Sequence, residues 1–432
     1  MNCYFYTFGC KVNTCETAGM QSLLQNAGYT VVSQPEQADI FLFNSCTVTA
    51  SGDSRLHHAM RKVRREHPDA LLVLTGCYPQ AYPEQAAAIP EADLIIGTKH
   101  RSRLPALLAQ LCQNHARIAA VDSYARQDDF EVLPCDTMPD NTRAFLKIQD
   151  GCNCFCSYCI IPYARGRCRS LSLKDVAAGA AAFAKNGYRE IVLCGINLGF
   201  YGMEWGGSLA EAVECCARTA GVERVRLGSL EPERLTEEQL SRLAALPQFC
   251  PQFHLSLQSG CDETLRRMNR HYTSQDYLQR VELLRKYFDH PAVTTDIIVG
   301  FPGETQEEFE TTCAFAKEVG FAQIHVFKYS RRQGTVADAM TDQVDEQIKG
   351  KRSDALLAIE AQLEKAYHDR FMGQTEKVLV EEAVMLGKEK YLIGYNERYV
   401  RVAVPYEAGK CDESLCNRLI VRNNCKNLKS RL

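Results

Sequence analysis

Three cysteines in the middle of the chain have the spacing of a metal-binding loop. Cys152, Cys156 and Cys159 form the pattern C-x3-C-x2-C within the segment QDGCNCFCSYCIIPYARGR. Thiolates grouped in this way suit a soft metal, because sulfur ligands select iron–sulfur clusters, zinc or copper(I). A cubane cluster contains four irons, and clusters that only carry electrons are usually held by four cysteines. A three-cysteine site therefore leaves one iron free to bind a substrate or a cofactor.

Three other interpretations of this loop stay open. A disulfide knot is disfavoured because the chain has the character of a cytosolic protein, whose thiols are kept reduced. A structural zinc site would need a fourth ligand, for which Cys154 and Cys168 are available nearby. A chance group of buried thiols is disfavoured because cysteine is rare in average proteins.

The first part of the chain alternates buried strands with helical stretches, which is the pattern of a doubly wound parallel sheet. Cys10, Cys46 and Cys77 each follow the carboxyl end of a predicted strand. Ligands bind at that edge of open parallel sheets, so these thiols are predicted to form a second three-cysteine site. For any one of them taken alone, a small residue in a tight turn is the favoured interpretation. The strands are predicted at NCYFYTF, ADIFLFNS, ALLVLTG and ADLIIGT, with helices near residues 14–27, 51–66 and 101–113.

A second alternation begins at residue 143, after a polar, proline-containing linker at residues 121–142. Six strands with helices between most of them predict a partial β/α barrel, with function at the carboxyl ends of its strands. The C-x3-C-x2-C loop immediately follows the first of these strands. The strands are predicted at AFLKIQ, EIVLCGIN, RVRLGSL, QFHLSLQSG, VTTDIIVGFPG and IHVFKYS, with helices near residues 171–186, 208–219, 235–245, 275–288 and 305–319.

The end of the chain changes character. Residues 342–370 have the pattern of a long amphipathic helix, and a small antiparallel β module is predicted after it. The strands of this module are predicted at TEKVLVEEA, YLIGYNERYVRVAV and SLCNRLIVR. The chain is therefore predicted to be α/β, with three domains at residues 1–135, 138–370 and 371–432.

Composition limits the location and the partners of this protein. The chain has 432 residues, which corresponds to about two to four domains. It has no run of 18 apolar residues and no signal peptide, so we expect a cytoplasmic protein without a membrane span. The net charge of −3 gives no overall attraction to nucleic acid, so any RNA contact must come from local patches. Among the 21 cysteines, no role is assigned to Cys15, Cys154 or the tail residues Cys411, Cys416 and Cys425.

These motifs occur in the order found in a known enzyme family. GCKVNTCET, NSCTV and LTGCYPQ precede the C-x3-C-x2-C loop, and a small β module follows it. The chain resembles the radical S-adenosylmethionine (SAM) methylthiotransferases over essentially its whole length. The resemblance implies that the loop cysteines hold a 4Fe–4S cluster that binds SAM, and that Cys10, Cys46 and Cys77 hold an auxiliary 4Fe–4S cluster. It also implies that the C-terminal β module is an RNA-binding TRAM module.

Within this family, GCKVN, GINLGFYG and GYNERYVRV resemble the subgroup that acts on N6-threonylcarbamoyladenosine in tRNA. The implied reaction replaces the C2 hydrogen of adenosine 37, beside the anticodon, with a methylthio group. One SAM would supply the methyl group and a second would supply a deoxyadenosyl radical. Methylthiolation of isopentenyladenosine or of a ribosomal-protein aspartate is the alternative activity. A noncatalytic iron–sulfur protein that binds RNA or senses redox state is the alternative without catalysis.

The resemblance and the strand positions also indicate residues that bind SAM. Tyr158 matches the position where the family's backbone meets the adenine. Ser256 and Gln258 alternate along one strand and therefore share a face. Simple turns and structural hydrogen bonds are the alternatives for the whole group. The predicted SAM-binding residues are Tyr158, Gly195, Asn197, Ser256, Gln258 and Asp296.

Five arginines are predicted to contact RNA. Arg165, Arg167 and Arg169 alternate behind the cysteine loop, where they would bind tRNA phosphates or the carboxylate of SAM. A solvated loop face is the alternative. Arg418 and Arg422 belong to the basic tail, whose charge would supply nonspecific affinity for RNA. The expected partners are tRNA and a reducing protein such as flavodoxin or ferredoxin, and the chain is expected to be a monomer.

Overall fold

The computed structural model describes residues 1–139, 141–406, 420–424 and 426–427. Over these residues the chain forms a parallel α/β domain, a partial β/α barrel and a small antiparallel β module. The predicted fold class is therefore confirmed. Within the described part of the chain, none of the helices combines the length and the apolar character needed to cross a bilayer.

The first domain contains a six-stranded parallel sheet. Its strands are β1 (Asn2–Thr7), β2 (Thr30–Val31), β3 (Ile40–Ser45), β4 (Leu71–Gly76), β5 (Leu94–Ile96) and β6 (Ile118–Ala120). Its helices are α1 (Lys11–Asn26), α2 (Ala50–Glu66), α3 (Cys77–Ala81), α4 (Pro83–Ala87) and α5 (Leu104–Asn114). The strand order is β2-β1-β3-β4-β5-β6, so the four predicted strands form the centre and β2 and β6 extend the edges.

Helices cover both faces of this sheet, as a doubly wound fold requires. Ile40 and Leu42 of β3 pack with α1 and α5 on one side, whereas Phe41 and Phe43 pack with α2 on the other side. Successive side chains of a strand point to opposite faces, so a strand that is apolar throughout must be covered twice. All six residues of β3 are buried accordingly.

The barrel begins at residue 144 and contains all six predicted strands. Its strands are β7 (Ala144–Lys147), β8 (Gln149–Asp150), β9 (Arg169–Ser170), β10 (Glu190–Cys194), β11 (Arg224–Leu227), β12 (Ser229–Leu230), β13 (Gln252–Leu255), β14 (Ala292–Val299) and β15 (Gln323–Lys328). Its helices are α6 (Ile161–Arg165), α7 (Leu173–Lys185), α8 (Leu209–Ala217), α9 (Glu237–Ala244), α10 (Asp262–Arg267), α11 (Ser274–Tyr287), α12 (Gln306–Val319) and α13 (Glu346–Asp369). Several of these helices begin with a capping box, in which a hydroxyl side chain accepts from the backbone N–H three residues later. The hydroxyls are those of Ser208, Thr236, Thr273 and Thr305.

The barrel is an open arc of two parallel sheets. β7, β10 and β11 form one sheet, and β12 to β15 form the other. A bridge between Val225 and Phe249 connects them. The single strand predicted at RVRLGSL is divided at Gly228, whose N–H donates to the carbonyl of Leu193 at 2.8 Å. Among the described residues β7 and β15 do not pair, and α1 packs against β7 on that open side.

The linker at residues 121–142 contains no helix or strand in its described part, as predicted. It nevertheless packs against both neighbouring domains. Leu133 packs so closely on α1 that a Cβ at Gly19 would lie 2.6 Å from the Cβ of Leu133. The hydroxyl of Tyr124 lies 2.9 Å from Oγ1 of Thr98 in the first domain and accepts from Arg169 of the barrel at 3.1 Å. The linker therefore helps to hold the two domains together.

The C-terminal module is an antiparallel sheet in the order β19-β16-β17-β18-β20. Its strands are β16 (Thr375–Leu386), β17 (Glu389–Tyr395), β18 (Arg401–Pro405), β19 (Ile420–Asn424) and β20 (Lys426–Asn427). The single strand predicted at YLIGYNERYVRVAV is two strands joined by a tight turn. In this turn Oδ1 of Asn396 accepts from the backbone N–H groups of Arg398 and Val400, at 3.0 and 2.8 Å.

This module docks at the amino-terminal end of the barrel strands. Arg224 donates to the carbonyl of Lys377 at 2.6 Å, and Arg226 donates to the carbonyl of Glu397 at 3.0 Å. Both arginines are buried and share the carboxylate of Glu190. The module therefore closes the end of the barrel that lies opposite the cysteine loop.

Candidate active site

The first thiol set lies at one edge of the parallel sheet. Cys10 immediately precedes α1, Cys46 follows the end of β3, and Cys77 begins α3 directly after β4. Because β1, β3 and β4 are neighbours, their carboxyl ends bring these three cysteines together. All three are free thiols. The topology thus produces the meeting point that the strand pattern predicts, and metal ligation there stays a prediction.

Two glycines with positive φ allow this close approach. Gly9 has a φ of +106°, and a Cβ there would lie 2.6 Å from the Cβ of Cys46. Gly76 has a φ of +100°, and a Cβ there would lie 2.4 Å from the carbonyl oxygen of Ser45. A residue with a side chain would meet both an unfavourable backbone conformation and an atomic overlap, so glycine is required at each position.

Replacing Gly76 with alanine is therefore expected to disrupt the turn that places Cys77. Strained backbone at such a position corresponds to about 1–3 kcal/mol, to which the overlap with Ser45 adds. We expect a lower urea midpoint and a loss of iron from the first thiol set. The matched control is Gly28→Ala, which has a φ of +88° but no atom within 4 Å of the added Cβ. Equal effects of the two substitutions would contradict this account.

Two of the arginines that were predicted to contact RNA are buried and do not face solvent. Arg165 is completely buried between the first domain and the barrel. It donates to Oε1 of Glu16 at 2.5 Å and to Sγ of Cys77 at 3.3 Å. Arg169 is also buried and donates to Asp150 at 2.9 Å. The prediction for Arg165 and Arg169 is corrected, because their charges are used to join the two domains.

The other three predicted RNA contacts differ in their placement. Arg167 is exposed, with its guanidinium 4.6 Å from the centre of the Phe155 ring. Arg418 lies outside the described residues. Arg422 lies in β19, where its register partner is Lys377 of β16. RNA binding by Arg167, Arg418 and Arg422 stays a prediction.

Glu16 is the centre of a buried ionic group between the domains. Its carboxylate contacts Lys147 at 2.7 Å, Arg101 at 2.9 Å and Arg165 at 2.5 Å. Burial raises the pKa of Glu16, but the three cations more than offset this effect and hold that pKa well below its usual range. The carboxylate is therefore ionised at neutral pH and ties α1 to the barrel.

The C-x3-C-x2-C loop lies between β8 and β9, which pair with each other at its base. The N–H of Cys159 donates to the carbonyl of Cys156 at 2.9 Å, which closes the last turn of the loop. Oγ of Ser157 donates to the carbonyl of Arg267 at 2.8 Å and so fastens the loop to the end of α10. The third member of the set, Cys152, begins the loop and is partly buried. These hydrogen bonds fix the backbone of the loop that carries the three cysteines.

Two further cysteines lie in the same group. Cys154 and Cys168 pack with the three loop cysteines against Phe200. A hydrogen bond from the thiol of Cys154 lowers the pKa of Cys152 to about 7, so Cys152 readily supplies a thiolate. The donor set fits a cluster held by sulfur. Among the described residues, no three of these thiols lie within 4.8 Å of one another, whereas a tetrahedral zinc site with its short zinc–sulfur bonds would require such a group.

A cavity of about 160 Å³ lies between the cysteine loop and the first domain. Tyr158 and Cys159 line one side of this cavity, and Val48 and Thr49 line the other. Val48 and Thr49 follow Cys46 closely in the chain, so the cavity separates Cys159 from the segment that follows Cys46. Its remaining lining residues are Ile160, Ile161, Gln258, Asp296, Ile298, Phe327, Lys328, Tyr329 and Ser330.

Three of the predicted SAM-binding residues share this cavity, namely Tyr158, Gln258 and Asp296. Gln258 has a φ of +70° and its backbone bridges two positions of β14, donating to Asp296 and accepting from Ile298 at 2.9 Å each. This strained conformation at the end of a barrel strand is typical of a functional position.

The other three predicted residues lie outside the cavity lining. Nδ2 of Asn197 lies 3.6 Å from Sγ of Cys154, so Asn197 is next to the cysteine loop. Gly195 allows close packing, because a Cβ there would lie 2.8 Å from Cβ of Gln149. Ser256 is buried, and its carbonyl accepts from the hydroxyl of Tyr272 at 2.6 Å.

The sequence analysis missed an ion pair beside the cysteine loop. Nη1 of Arg270 lies 3.1 Å from Sγ of Cys156, and the same guanidinium pairs with Glu231. Burial raises the pKa of Glu231, and Arg270 opposes this effect. Burial raises the pKa of Cys156, and the charge of Arg270 opposes this effect. The sequence signal for this ion pair was Glu231, an acidic residue that directly follows a barrel strand in the segment SLEPE.

Comparisons with known proteins agree with this arrangement. Residues 146–316 match the model of the radical SAM superfamily. Residues 2–97 match the model described as "Uncharacterized protein family UPF0004". The barrel, its cysteine loop and the adjoining cavity thus define a radical SAM enzyme, which implies a 4Fe–4S cluster and SAM.

Relatives match nearly the whole chain. Threonylcarbamoyladenosine tRNA methylthiotransferase MtaB of Bacillus subtilis is 39% identical over 401 residues, which are 92% of this chain and 89% of the relative. The tRNA-2-methylthio-N(6)-dimethylallyladenosine synthase of Finegoldia magna is 31% identical over 422 residues, which are 96% of this chain and 90% of the relative. The chain belongs to the radical SAM methylthiotransferase family.

Solved structures show the same fold. The radical S-adenosylmethionine methyltransferase TsrM from Kitasatospora setae matches with a TM-score of 0.59 at 14% identity, over 78% of this chain and 77% of that chain. The cobalamin-dependent S-adenosylmethionine radical enzyme OxsB matches with a TM-score of 0.54 at 12% identity, over 84% of this chain and 56% of that chain. At these identities the likeness concerns the fold alone.

Proposed function

We propose that this protein methylthiolates tRNA at C2 of N6-threonylcarbamoyladenosine, at position 37 beside the anticodon. The observation that carries this proposal is the cavity lined by Tyr158 and Cys159 of the cysteine loop on one side and by Val48 and Thr49, which follow Cys46 in the chain, on the other. The name of the Bacillus subtilis relative supports tRNA as the substrate and threonylcarbamoyladenosine as the nucleoside.

Both thiol sets are proposed to hold a 4Fe–4S cluster. Cys152, Cys156 and Cys159 would leave one iron free for SAM, and Cys10, Cys46 and Cys77 would hold the auxiliary cluster. When bound at Cys152, Cys156 and Cys159, such a cluster would pass one electron from flavodoxin or ferredoxin, the proposed reductant, to SAM, which would give methionine and a deoxyadenosyl radical. Such chemistry suits C2 of a purine, which has neither an acidic proton nor a leaving group, so a cofactor must supply the reactive species.

The chain itself positions the reactants and excludes water. Ile298, Phe327 and Tyr329 give the cavity apolar walls, which protect a radical from side reactions with solvent. Gln258 and Asp296 are the polar groups of the same cavity and are proposed to orient SAM or the substrate ribose. Holding the reacting atoms in contact is the main contribution that a protein makes to such a step.

RNA is proposed to bind through exposed basic groups around these domains. Arg167 lies on the solvent side of the cysteine loop. The C-terminal module adds the predicted contacts Arg418 and Arg422. Neutralising phosphates with such groups supplies affinity that falls as salt is raised.

A second candidate substrate is isopentenyladenosine in tRNA. The names of several relatives of 31–34% identity, such as that of Finegoldia magna, favour this choice. The two substrates are distinguished by mass spectrometry of tRNA nucleosides from a deletion strain. We expect the methylthio form of threonylcarbamoyladenosine to disappear and the isopentenyl type to persist. The opposite pattern would overturn the choice of nucleoside, and formation of no deoxyadenosine from SAM and dithionite would favour a noncatalytic iron–sulfur protein.

Replacing Arg270 with methionine is expected to slow SAM cleavage. The substitution removes the hydrogen bond to Cys156 and leaves Glu231 buried without its cation. A charged hydrogen bond corresponds to about 1.5–3 kcal/mol, so the rate of deoxyadenosine formation should fall by about tenfold or more. The measurement is deoxyadenosine formed per iron bound, under anaerobic conditions. Arg266→Met is the control, because Arg266 is exposed and pairs with exposed Glu263. A similar loss in this variant would contradict the assignment.

A further inference from the structure

Two histidines and an aspartate meet on three neighbouring strands of the barrel. His254, Asp296 and His325 belong to β13, β14 and β15, and Asp296 is the register partner of His325. The register partner of His254 is Thr294, which lies two residues before Asp296 and therefore on the same face of β14. The next residue, Ile297, belongs to the hydrophobic core on the helix side, so Asp296 faces the barrel interior. Strand pairing thus brings two imidazoles and one carboxylate together.

The distances among these three side chains fit ligands of one metal ion. Nε2 of His254 lies 3.3 Å from Oδ2 of Asp296. Zinc bonds to nitrogen and oxygen are about 2.0–2.2 Å long, which places two tetrahedral ligands about 3.3–3.5 Å apart. One ligand atom of His325 lies within 4.8 Å of the ligand atoms of the other two residues. His325 is exposed, so a small rotation of its side chain is enough to complete the set.

His254 also makes the additional hydrogen bond that metal-binding histidines usually make. Its Nδ1 lies 3.1 Å from Oγ1 of Thr294. A hydrogen bond at one ring nitrogen orients the ring and fixes its tautomer, which directs the other nitrogen towards the metal. When Nδ1 donates to Thr294, Nε2 presents its lone pair to the carboxylate of Asp296. A cation between Nε2 and Oδ2 then removes the repulsion between them.

A second pair of histidine and aspartate in this protein lacks these features. Nδ1 of His100 lies 2.7 Å from Oδ2 of Asp122, but Arg103 pairs with the same oxygen at 3.0 Å. The guanidinium of Arg103 thus occupies the position that a metal ion would take. Within the described part of the chain, no lysine or arginine forms an ion pair with Asp296. The carboxylate of Asp296 is therefore open to another cation.

Two charges outside the set act on His325 in opposite directions. Glu364 of α13 favours a cation at this imidazole, and Lys11 of α1 opposes one. The negative charge that lies in direct contact with an imidazole is that of Asp296. The site therefore has one carboxylate and two imidazoles, which is a common ligand set for a divalent transition metal.

We propose that His254, Asp296 and His325 bind one divalent transition metal ion through two nitrogen ligands and one oxygen ligand. Imidazole ligands suit zinc, iron, copper and nickel rather than magnesium or calcium. Three protein ligands leave a further position for water or a substrate group. Asp296 also lines the cavity beside the cysteine loop, so the metal would border that cavity. Ligation through Oδ2 leaves Oδ1 of Asp296 for the orienting role proposed above.

The test uses Zn²⁺ as the probe and needs no RNA. The reconstituted enzyme is treated with EDTA under anaerobic conditions, desalted and titrated with Zn²⁺, and zinc and iron per chain are measured. We expect one zinc per chain in addition to the cluster iron. X-ray absorption at the zinc edge should show only nitrogen and oxygen neighbours, at about 2.0–2.2 Å.

Variants identify the ligands. His254→Gln and His325→Gln each remove a ligand and should lower the affinity for zinc by about a hundredfold or more, because loss of an outer hydrogen bond alone costs about 10–100-fold. Thr294→Val removes such an outer hydrogen bond and should show the smaller loss. The matched control is His100→Gln, which removes a histidine that pairs with a carboxylate outside this site. It should bind zinc as the wild type does, and all four variants should keep the cluster iron.

Several results would overturn the metal site. These are the absence of zinc beyond the clusters, sulfur neighbours at about 2.3 Å, unchanged affinity in His325→Gln, or an equal loss in His100→Gln. The X-ray absorption of the wild type determines the class of ligand even where a variant fails to fold. None of these measurements depends on the RNA substrate, so a failure of the metal site leaves the proposed function intact. A wrong choice of nucleoside would likewise leave the metal site intact.

Discussion

Replacing Cys152, Cys156 and Cys159 together with alanine abolishes deoxyadenosine formation and methylthiolation and lowers the bound iron from about eight to about four atoms per chain. Half of the iron should remain because Cys152, Cys156 and Cys159 belong to the barrel loop, whereas Cys10, Cys46 and Cys77 belong to the first domain. Iron analysis and the cluster absorption of the anaerobically reconstituted variant check this expectation.

The matched variant replaces Cys10, Cys46 and Cys77 with alanine. It should also keep about four irons, and it should still cleave SAM while forming no methylthio product. Complete loss of iron from the first triple variant would contradict independent clusters. A variant with Cys154 and Cys168 both replaced by alanine tests the zinc alternative, since it should keep its iron and its SAM cleavage if those thiols are not ligands.

Replacing Glu16 with glutamine has the largest expected effect on stability. The substitution leaves the buried cations Arg101, Lys147 and Arg165 without the carboxylate that they share. Removing one partner of a buried ion pair destabilises a protein by about 3–5 kcal/mol. We expect a correspondingly lower urea midpoint, together with easier separation of the first domain from the barrel in limited proteolysis.

The same carboxylate predicts a dependence on pH. The pKa of Glu16 is well below its usual range in the folded protein, so its contribution is present above the unfolded pKa of about 4.3 and is lost as pH falls through the folded value. Between pH 7 and pH 5 the wild type should therefore keep this contribution.

The control for Glu16→Gln is Glu66→Gln, since Glu66 is about half exposed and its ion pair with Lys62 at 4.0 Å contributes about 0–1 kcal/mol. An equally small effect of Glu16→Gln would contradict the buried ionic centre.

Regular patterns along the chain were enough to predict most of the elements. Strands that are covered on both faces are apolar throughout, as in β3, and helices between them begin at recognisable caps such as Thr305. Two predicted strands were each divided in the structure, at Gly228 and at Asn396, because a single glycine and a side-chain hydrogen bond redirect the backbone there. Such local changes leave little trace in hydrophobic periodicity.

The roles of charged residues were the least predictable. Arg165 and Arg169 have the spacing of a basic surface, yet both are buried by contacts with residues far away in the chain. The pair of Arg270 with Glu231 likewise joins residues from two different loops of the barrel. The spacing of residues along the chain does not predict such pairs, because the partners come together only when the barrel folds.

The spacing of the loop cysteines and the order of strands and helices already defined the chemistry and the architecture, because metal ligation in a short loop and the covering of apolar strands are local requirements. Two further properties depended on the folded chain: the cavity that Cys159 shares with the segment after Cys46, and the burial of Arg165 against Glu16. Each depends on the packing of the first domain against the open side of the barrel, and this packing brings together side chains that are distant in the sequence.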